Sequence, residues 1–543
     1  MYTMNPKTEE VRNYNSAVPR VKDWDAWATG SFFTQTLGWE GNLRDEHHIG
    51  VMVGQDYQEF YNDNFQAYKE GFYDNYHTDL NSASGQVNAQ ATGASSREKL
   101  VSVFGRLSYD YKQRYLVSAV FRYDGSSRLA PDHRWAFFPS VSLAWRIDQE
   151  NFMKNAEFID QLKPRFSWGK MGNQAVSLYS YLSSVNTSGY DYSFDGTKYG
   201  GAAISALADN TITWEETTSY DAGIDFSAFG NRVLFSADWF LKRTEGILRT
   251  VNLPSQVGDL SGPKSNVGVV DNKGIELSLT LRDSWGDFSA GISGNFSYTR
   301  NEIVDLNGET EINGRLICKE GYPINSWYLL ETDGVFQNQS EIDNAQAVYG
   351  NRANLRPGYV KYVNQNNDNT IDGNDRVIAG NTIPRFAYGF NLNFGWKGFA
   401  VEAQFQGVGD VSVYPSSNMA FGLYNGAGLT KQWVRDSWSA TNRNTEYPLL
   451  TTYPEAGENF QNSTLWLQDA SYLRLKNIQL SYTFPKQLVG RIGIKGLQVY
   501  VSGQNLVTFS DFKIWDPEIS ISQVNLFSYP ILKTISFGIN LTL

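Results

Sequence analysis

From Thr534 to Leu543 apolar and polar residues alternate without a break. Ile535, Phe537, Ile539, Leu541 and Leu543 fall on one face, and Thr534, Ser536, Gly538, Asn540 and Thr542 on the other. A sustained period of two predicts a strand with one apolar face. The same pattern predicts hairpins. Phe386, Tyr388, Phe390, Leu392, Phe394 and Trp396 lead through Lys397-Gly398 into Phe399, Val401, Ala403 and Phe405. Ile275, Leu277, Leu279 and Leu281 precede a turn over 283–287 and then Phe288, Ala290, Ile292, Phe296 and Tyr298. Ala222, Ile224 and Phe226 pass through 229–232 into Val233, Phe235, Ala237, Trp239 and Leu241. About 15 such strands are expected, near 31–41, 46–57, 99–109, 114–124, 134–148, 162–170, 214–228, 232–246, 268–282, 288–302, 385–396, 399–408, 470–484, 497–507 and 533–543. Strands of about 11 residues, rising roughly 3.3 Å each and tilted about 45°, cover roughly 25 Å, the height of a membrane barrel's apolar band. Strands of soluble sandwiches are shorter, about 5–6 residues.

The links between strands carry a second signal. Short ones (111–114, 229–232, 283–287, 397–398) alternate with long polar ones (124–134, 170–213, 246–266, 301–383, 407–464, 510–532). Brief turns at one rim and elaborated loops at the other are the connectivity of an outer-membrane barrel.

Composition removes competing classes. The chain has 543 residues with 46 basic and 57 acidic side chains, a formal charge of −11, which argues against a nucleic-acid partner. One cysteine (Cys318) and four histidines leave no disulfide framework and little material for zinc. Mean hydropathy is −0.41 although 15% of residues are aromatic, and no apolar run is long enough for a helical span. The hydrophobic residues are dispersed at period two instead. A soluble all-β protein would carry many charges on its polar face, whereas here that face is read as largely Ser, Thr, Asn, Gln and Gly. Tyr298, Tyr388, Trp396, Trp239, Tyr482 and Phe484 lie near strand ends, as interfacial girdles require. The fold class expected is an all-β, transmembrane, antiparallel β-barrel.

Longer motifs point to a family. Arg114 to Arg128 (RYLVSAVFRYDGSSR), Arg134 to Ser140 (RWAFFPS) and Ala144-Trp-Arg146 resemble the signature of SusC/RagA-type TonB-dependent outer-membrane transporters. So do Thr213 to Thr217 with Gly223 to Phe226, Asn266 to Gly268 with Asn272 to Leu277, Tyr472 to Tyr482, and Gly503 to Leu506. The matches run in the family's order from about residue 97 to 543. The resemblance implies a 22-stranded barrel with an internal plug, energised through the TonB complex, importing glycans or peptides with a SusD-like surface lipoprotein. Against that pattern, no signal peptide, TonB box or plug is read in this chain. Residues 1–25 are expected to be an outer loop or truncated N-terminal segment, and 26–543 the C-terminal part of the barrel, its largest loop about 303–384. About 7 strands must come from an upstream segment, pairing near Phe32 to Leu37 and Ile535 to Leu541, because an open sheet edge in lipid costs several kcal/mol per unpaired group.

One stretch of the largest loop has a chemical pattern. Asn364, Asn366, Asp368, Asp372 and Asp375 place oxygens at loop positions 1, 3, 5, 9 and 12, with the Thr370 carbonyl at position 7, the spacing of a Ca²⁺ loop. Asn369 stands at the usual glycine position and Asp375 replaces the bidentate Glu, which predicts a site weaker than a sensor loop; an Asn/Asp-rich surface turn has the same composition. Related transporters carry a similar loop before an Asp-Arg pair, here Asp375-Arg376. Asp74, Asp79 and His77 among Tyr68, Tyr73 and Tyr76 are a weaker candidate for a sugar-stacking loop. Glu215-Glu216 and His47-His48 are excluded as a catalytic or metal pair, since neighbours on a strand point to opposite faces. With no nucleophile elbow, P-loop or HExxH motif, an enzyme is not expected. The alternative to import is a passive barrel whose long loops bind surfaces or partners.

Overall fold

The computed structural model describes the chain except residues 1, 5–10, 14–19, 45, 74–75, 84–87, 188–190, 252, 255, 257–261, 417–419, 427, 446, 453–456 and 519–528. Asp74, one of the sugar-loop candidates, lies outside the described residues.

Fifteen strands form one antiparallel meander in which each strand pairs with the next in sequence. They are β1 (Arg20–Leu43), β2 (His47–Glu70), β3 (Gln90–Tyr111), β4 (Tyr115–Ser126), β5 (Trp135–Trp145), β6 (Ile159–Asn173), β7 (Glu215–Ala228), β8 (Val233–Glu245), β9 (Val269–Trp285), β10 (Phe288–Asp305), β11 (Phe386–Trp396), β12 (Phe399–Gly409), β13 (Tyr472–Thr483), β14 (Gly496–Ser510) and β15 (Thr534–Thr542). The outermost members, β1 and β15, each have a single neighbour in this sheet, which is open. Strand β1 begins at Arg20, inside the segment read as a loop up to Asp25. The first three strands are also about twice the expected length, because their pairing continues beyond the apolar stretch through Thr, Ser, Gly, Asn and isolated aromatics.

Register joins the apolar positions into one surface. Phe288 lies opposite Trp396, Trp396 opposite Phe399, Phe399 opposite Tyr482 and Tyr482 opposite Val499. At the same rim Tyr111, Tyr115 and Trp145 are successive partners, with ring centroids 6.4 and 6.3 Å apart. The other edge of the apolar band carries Tyr123 stacked on Trp135 at 5.0 Å and Tyr298 against Phe386 at 5.3 Å. Two aromatic girdles therefore border an apolar strip. The strip is exposed: Leu37 is 74% accessible and Phe537 82%. Conversely, the buried hydrophobic residues are largely outside the sheet, among them Leu129, Ile212, Leu329, Tyr414, Trp433 and Trp466. A sheet that bares its apolar face while its loops have cores is folded for a hydrocarbon solvent. No helix among the described residues is long and apolar enough to cross a membrane, which leaves the strands as the spanning elements.

Connections alternate as expected. Residues 44–46, 112–114, 146–158, 229–232, 286–287, 397–398 and 484–495 turn at one rim. The other rim carries L1 (71–89), L2 (127–134), L3 (174–214), L4 (246–268), L5 (306–385), L6 (410–471) and L7 (511–533). The Lys397-Gly398 turn has φ of +47° and +89°, the left-handed pair that matches the twist of a two-residue hairpin. A Cβ on Gly398 would also lie 2.6 Å from the Thr483 carbonyl oxygen, so glycine is required twice over.

Candidate functional site: the polar face and the loops on its rim

The polar phase of the sheet carries two grooves. One is lined by Arg106, Ser108, Ser118, Ser142, Arg165 and Asp221, another by Ser236, Asp238, Ser278, Asn295, Asn391 and Gln406. The expectation that this face holds few charges needs correction. Arg165 on β6 reaches Asp238 on β8 (2.6 Å) and Asp221 and Asp225 on β7 (3.2 and 3.3 Å), and Lys163 also meets Asp225 at 2.7 Å. The cluster fits because Gly223 sits between Arg165 and Asp238 in register; a Cβ there would be 2.0 Å from Asp238 Oδ1. On β4, Arg122 donates to Ser102 Oγ at 2.6 Å and pairs with Asp124 at 2.8 Å, with Asp56 at 3.9 Å. Some of these charges are neighbours on one strand, as Arg122 is with Asp124, but the contacts that cross from Arg165 to Asp221 and Asp238 are revealed only by register.

At the wide rim the two largest loops are not separate. L5 contains a four-stranded sheet (Glu311–Asn313, Leu316–Cys318, Ser326–Leu330, Arg376–Ala379), and α1 (Gln339–Asn344) starts on an Asn338 cap whose side chain accepts from Glu341 N. L6 contributes α2 (Lys431–Asp436), capped by Thr430. Trp327 and Leu329 of L5 pack with Tyr414, Phe421, Trp433 and Trp466 of L6 in a common core. Backbone bonds join the loops: Leu330 N to Asn462 O (2.9 Å), Leu449 N to Gly358 O (2.8 Å) and Ser412 N to Asn381 O (2.7 Å). Burial pushes the Tyr414 hydroxyl up to about 12 and that of Tyr362 well above its ordinary value. Both phenols therefore stay protonated and donate, to the Gln461 and Glu458 carbonyls respectively. L2 and L3 share a smaller core of Leu129, Ala130, Val176, Ile212 and Trp214 closed against Phe138 of β5.

L7 is tied into the mouth of the polar face. Arg474 of β13, 3% exposed, donates to Thr508 Oγ1 (2.8 Å) and pairs with Asp516 (2.7 Å) and Glu518 (3.2 Å), which also meets Lys476 at 2.5 Å. Asp516→Asn is expected to weaken this anchor by about 1.5–3 kcal/mol, the range for a hydrogen bond to a charged group. Amide exchange over 511–518 checks it; protection equal to wild type would mean that L7 is held by other contacts.

In the Asn/Asp-rich stretch of L5, the side chains shape the turn. Asp375, fully buried, accepts from Gln365 N and Asp372 N, both at 2.8 Å. Asp372 accepts from Asn374 N (2.7 Å), Asp368 from Thr370 N (2.7 Å) and Asn366 from Asp368 N (3.0 Å). Asn364 donates to the Asp368 carbonyl, and its own Oδ1 is buried without a hydrogen-bond partner. Among the described residues no group of three His, Cys, Asp or Glu side chains is placed to hold a metal. Of the sugar-loop candidates, Tyr73 is exposed, and Tyr68 donates to Glu70 on the same strand. Glu215 and Glu216 diverge, the first to Asn173 and Leu248 N, the second to Lys170. His47 bonds Tyr109 (2.8 Å) and His48 bonds Asn42 (2.5 Å), so they do not form a pair.

A family profile described as TonB dependent receptor-like, beta-barrel, matches residues 2–506. The chain belongs to this family. It is 30% identical to TonB-dependent receptor P3 of Formosa agariphila over 91% of this chain and 50% of that protein, and 31% identical to receptor P26 of the same organism over 93% and 52%. It is 29% identical to TonB-dependent receptor SusC of Bacteroides thetaiotaomicron over 90% of this chain and 48% of that protein. The chain thus spans about half the length of the curated relatives it matches. In fold it is similar to the RagAB peptide transporter, with TM-score 0.79 and 24% identity over 96% of this chain and 56% of that chain. The same importer in an open-open state gives TM-score 0.80 over 98% and 56%. Barrels of the TonB-dependent receptor family lie in the outer membrane. The apolar phase accordingly faces lipid, the polar phase faces the lumen, the short turns are periplasmic and L1–L7 are extracellular.

Proposed function

We propose that this chain is the larger part of the barrel of a TonB-dependent nutrient importer that takes up glycans or peptides. Its partners would be a SusD-like lipoprotein at the extracellular loops, a plug in the lumen and the TonB complex beneath it. The observation that carries this reading is the open fifteen-strand sheet with a polar, charged inner face. Any barrel that closes such a sheet has more strands than this, and about 22-stranded barrels have lumens too wide for their own side chains to fill and are plugged. Charged clusters such as Arg165 with its three carboxylates suit a wet wall or a polar plug surface. A plugged barrel passes cargo only when the plug is moved, which requires an energy source outside a membrane that holds no nucleotide pool.

The name of the RagAB peptide transporter supports peptide cargo by likeness alone, and glycan cargo rests on the SusC/RagA resemblance. A second reading, adhesion without uptake, draws on the hairpin at 191–200 in L3. Its Asp195-Gly196 turn presents Tyr192, Phe194 and Tyr199 outward, each more than half exposed. Measuring uptake of labelled oligosaccharides and oligopeptides by cells carrying the full-length protein, with and without TonB, separates the two. Import predicts accumulation that is lost without TonB; surface binding that persists unchanged without accumulation favours adhesion.

Within this reading the Asn364 to Asp375 loop is a proposed Ca²⁺ site, with Asn364, Asn366, Asp368, Asp372, Asp375 and the Thr370 carbonyl as its donors. Because the backbone already occupies much of their capacity, the expected dissociation constant is weak, about 10⁻⁴–10⁻³ M. Terbium luminescence titrated with Ca²⁺ checks this, and the absence of displacement up to about ten times that concentration would leave a turn.

A further inference from the structure

We propose that the free edge of β3 above the membrane takes up oligopeptide cargo as an added strand. The proposal rests on the import reading and narrows its cargo to peptides. Strand β3 pairs with β2 along its whole length, from Gln90 opposite Tyr68 to Tyr111 opposite His47. Its pairing with β4 stops where Leu100 lies opposite Ser126. There the chain leaves β4 for L2, the shortest extracellular loop, and residues 90–99 continue upward with no strand on that side. This edge differs from those of β1 and β15. Its neighbour in the sheet is present and turns away, so further barrel strands do not complete it.

The lowest rungs of the edge are taken by L2 and L3. Lys99 N donates to Ser127 Oγ (2.8 Å), and Lys99 O accepts from Ser127 N (2.9 Å). Two residues up, the Tyr179 hydroxyl of L3 accepts from Arg97 N (3.2 Å) and donates to Arg97 O (3.3 Å), as the backbone of a further strand would. Alternate residues of a strand direct their backbone groups to the same side, so Ser95, Gly93 and Ala91 point theirs to this edge. Among the described residues these groups have no partner there.

The chemistry of the ledge fits a peptide. Gln90, Ala91, Thr92, Gly93, Ala94 and Ser95 are all exposed and include neither a charge nor a proline, the means by which edge strands are commonly blocked. Their small side chains leave both faces open to whatever residues an added strand brings. Main-chain bonds then give affinity with little sequence selection, which suits cargo of mixed sequence. Nearby charges are of both signs (Arg97, Lys99, Glu98, Glu59 and Asp63), so net charge selects nothing. The three free rungs are spaced roughly 7 Å apart, the repeat of an extended chain of about five to seven residues. An oligosaccharide has no N–H and C=O pairs at that repeat, so the edge chooses between the two cargo classes.

The test is binding of a fluorescein-labelled peptide of about seven alternating Ala and Thr residues to the purified full-length receptor, read by fluorescence polarisation. Wild type is expected to bind it, and not to bind the same peptide methylated on every amide nitrogen. Ser95→Pro removes one outward N–H and leaves the ladder to β2 intact, so it should weaken binding by about tenfold. Ser95→Ala keeps the backbone and should stay within about twofold of wild type. Equal binding of the methylated peptide, or unchanged affinity in Ser95→Pro, would overturn the proposal. So would a Ser95→Pro variant that loses only self-association or capture of a lipoprotein, which would give the edge to another occupant. If Ser95→Pro fails to fold, hydrogen exchange of the wild type decides: the peptide is expected to slow exchange over 90–96, and unchanged exchange there is a refutation. Failure of the import reading looks different. Slowed exchange over 90–96 without TonB-dependent uptake sinks import alone, whereas TonB-dependent uptake of oligosaccharide with that exchange unmoved sinks this proposal alone.

Discussion

Trp466→Ala is expected to cost about 3–5 kcal/mol, the range for removing a buried tryptophan, and to unfold the extracellular module without opening the barrel. Trp466 is 3% exposed, and its ring lies 4.8 Å from Phe421, 5.8 Å from Phe460 and 5.9 Å from Trp433. It is thus the hub on which the aromatic side chains of L6 converge, beside Trp327 and Leu329 of L5. The strands beneath are held by their own ladder. Limited proteolysis should therefore cut within 306–385 and 410–471 in the variant, while the full-length barrel stays heat-modifiable on gels. Loss of both, or of neither, would mean that the module and the barrel are not separable in this way.

Phe537→Arg is expected to destabilise the assembled barrel by about 2–4 kcal/mol, the cost of a cation on the lipid face near mid-bilayer, and Ser536→Arg by much less. Phe537 lies opposite Val501 on the apolar phase and Ser536 opposite Ser502 on the polar phase. The comparison isolates facing from position, since the two sites are adjacent. Denaturant unfolding in bilayers measures both, and equal losses would contradict the assignment of the two phases.

Much of this architecture was legible in the sequence because hydrocarbon imposes its own periodicity. Each of the fifteen strands overlaps a segment where alternation put one. Alternation loses its force beyond the membrane, which is why β1 to β3 were read short: Trp24, Trp27 and Phe65 are spaced among Thr, Ser, Asn and Asp with no continuous apolar row. The loop module was not legible. Trp327 and Trp466 meet across a separation that no local period reports, and each looks like an isolated aromatic in a polar loop. Likewise Arg165, Asp221 and Asp238 are unremarkable singly and become a cluster only through the pairing of β6, β7 and β8. The Asp195-Gly196 turn of L3 and the Asn313-Gly314 turn of L5 were overlooked local signals, dipeptides suited to tight hairpins. Asn364 to Asp375 shows the opposite limit, since the spacing that suits a cation also suits a series of side-chain-to-backbone turns.

The central claim is that this sheet cannot close on itself, because β1 and β15 each keep an unpaired edge that lipid does not tolerate. Refolding the 543-residue chain alone into detergent and bilayers, and in parallel with the proposed complementary barrel strands, tests it through heat-modifiability on gels. The account predicts aggregation or an open, heat-insensitive species for the chain alone and a heat-modifiable barrel for the pair. A stable, heat-modifiable monomer formed by the chain alone would contradict it.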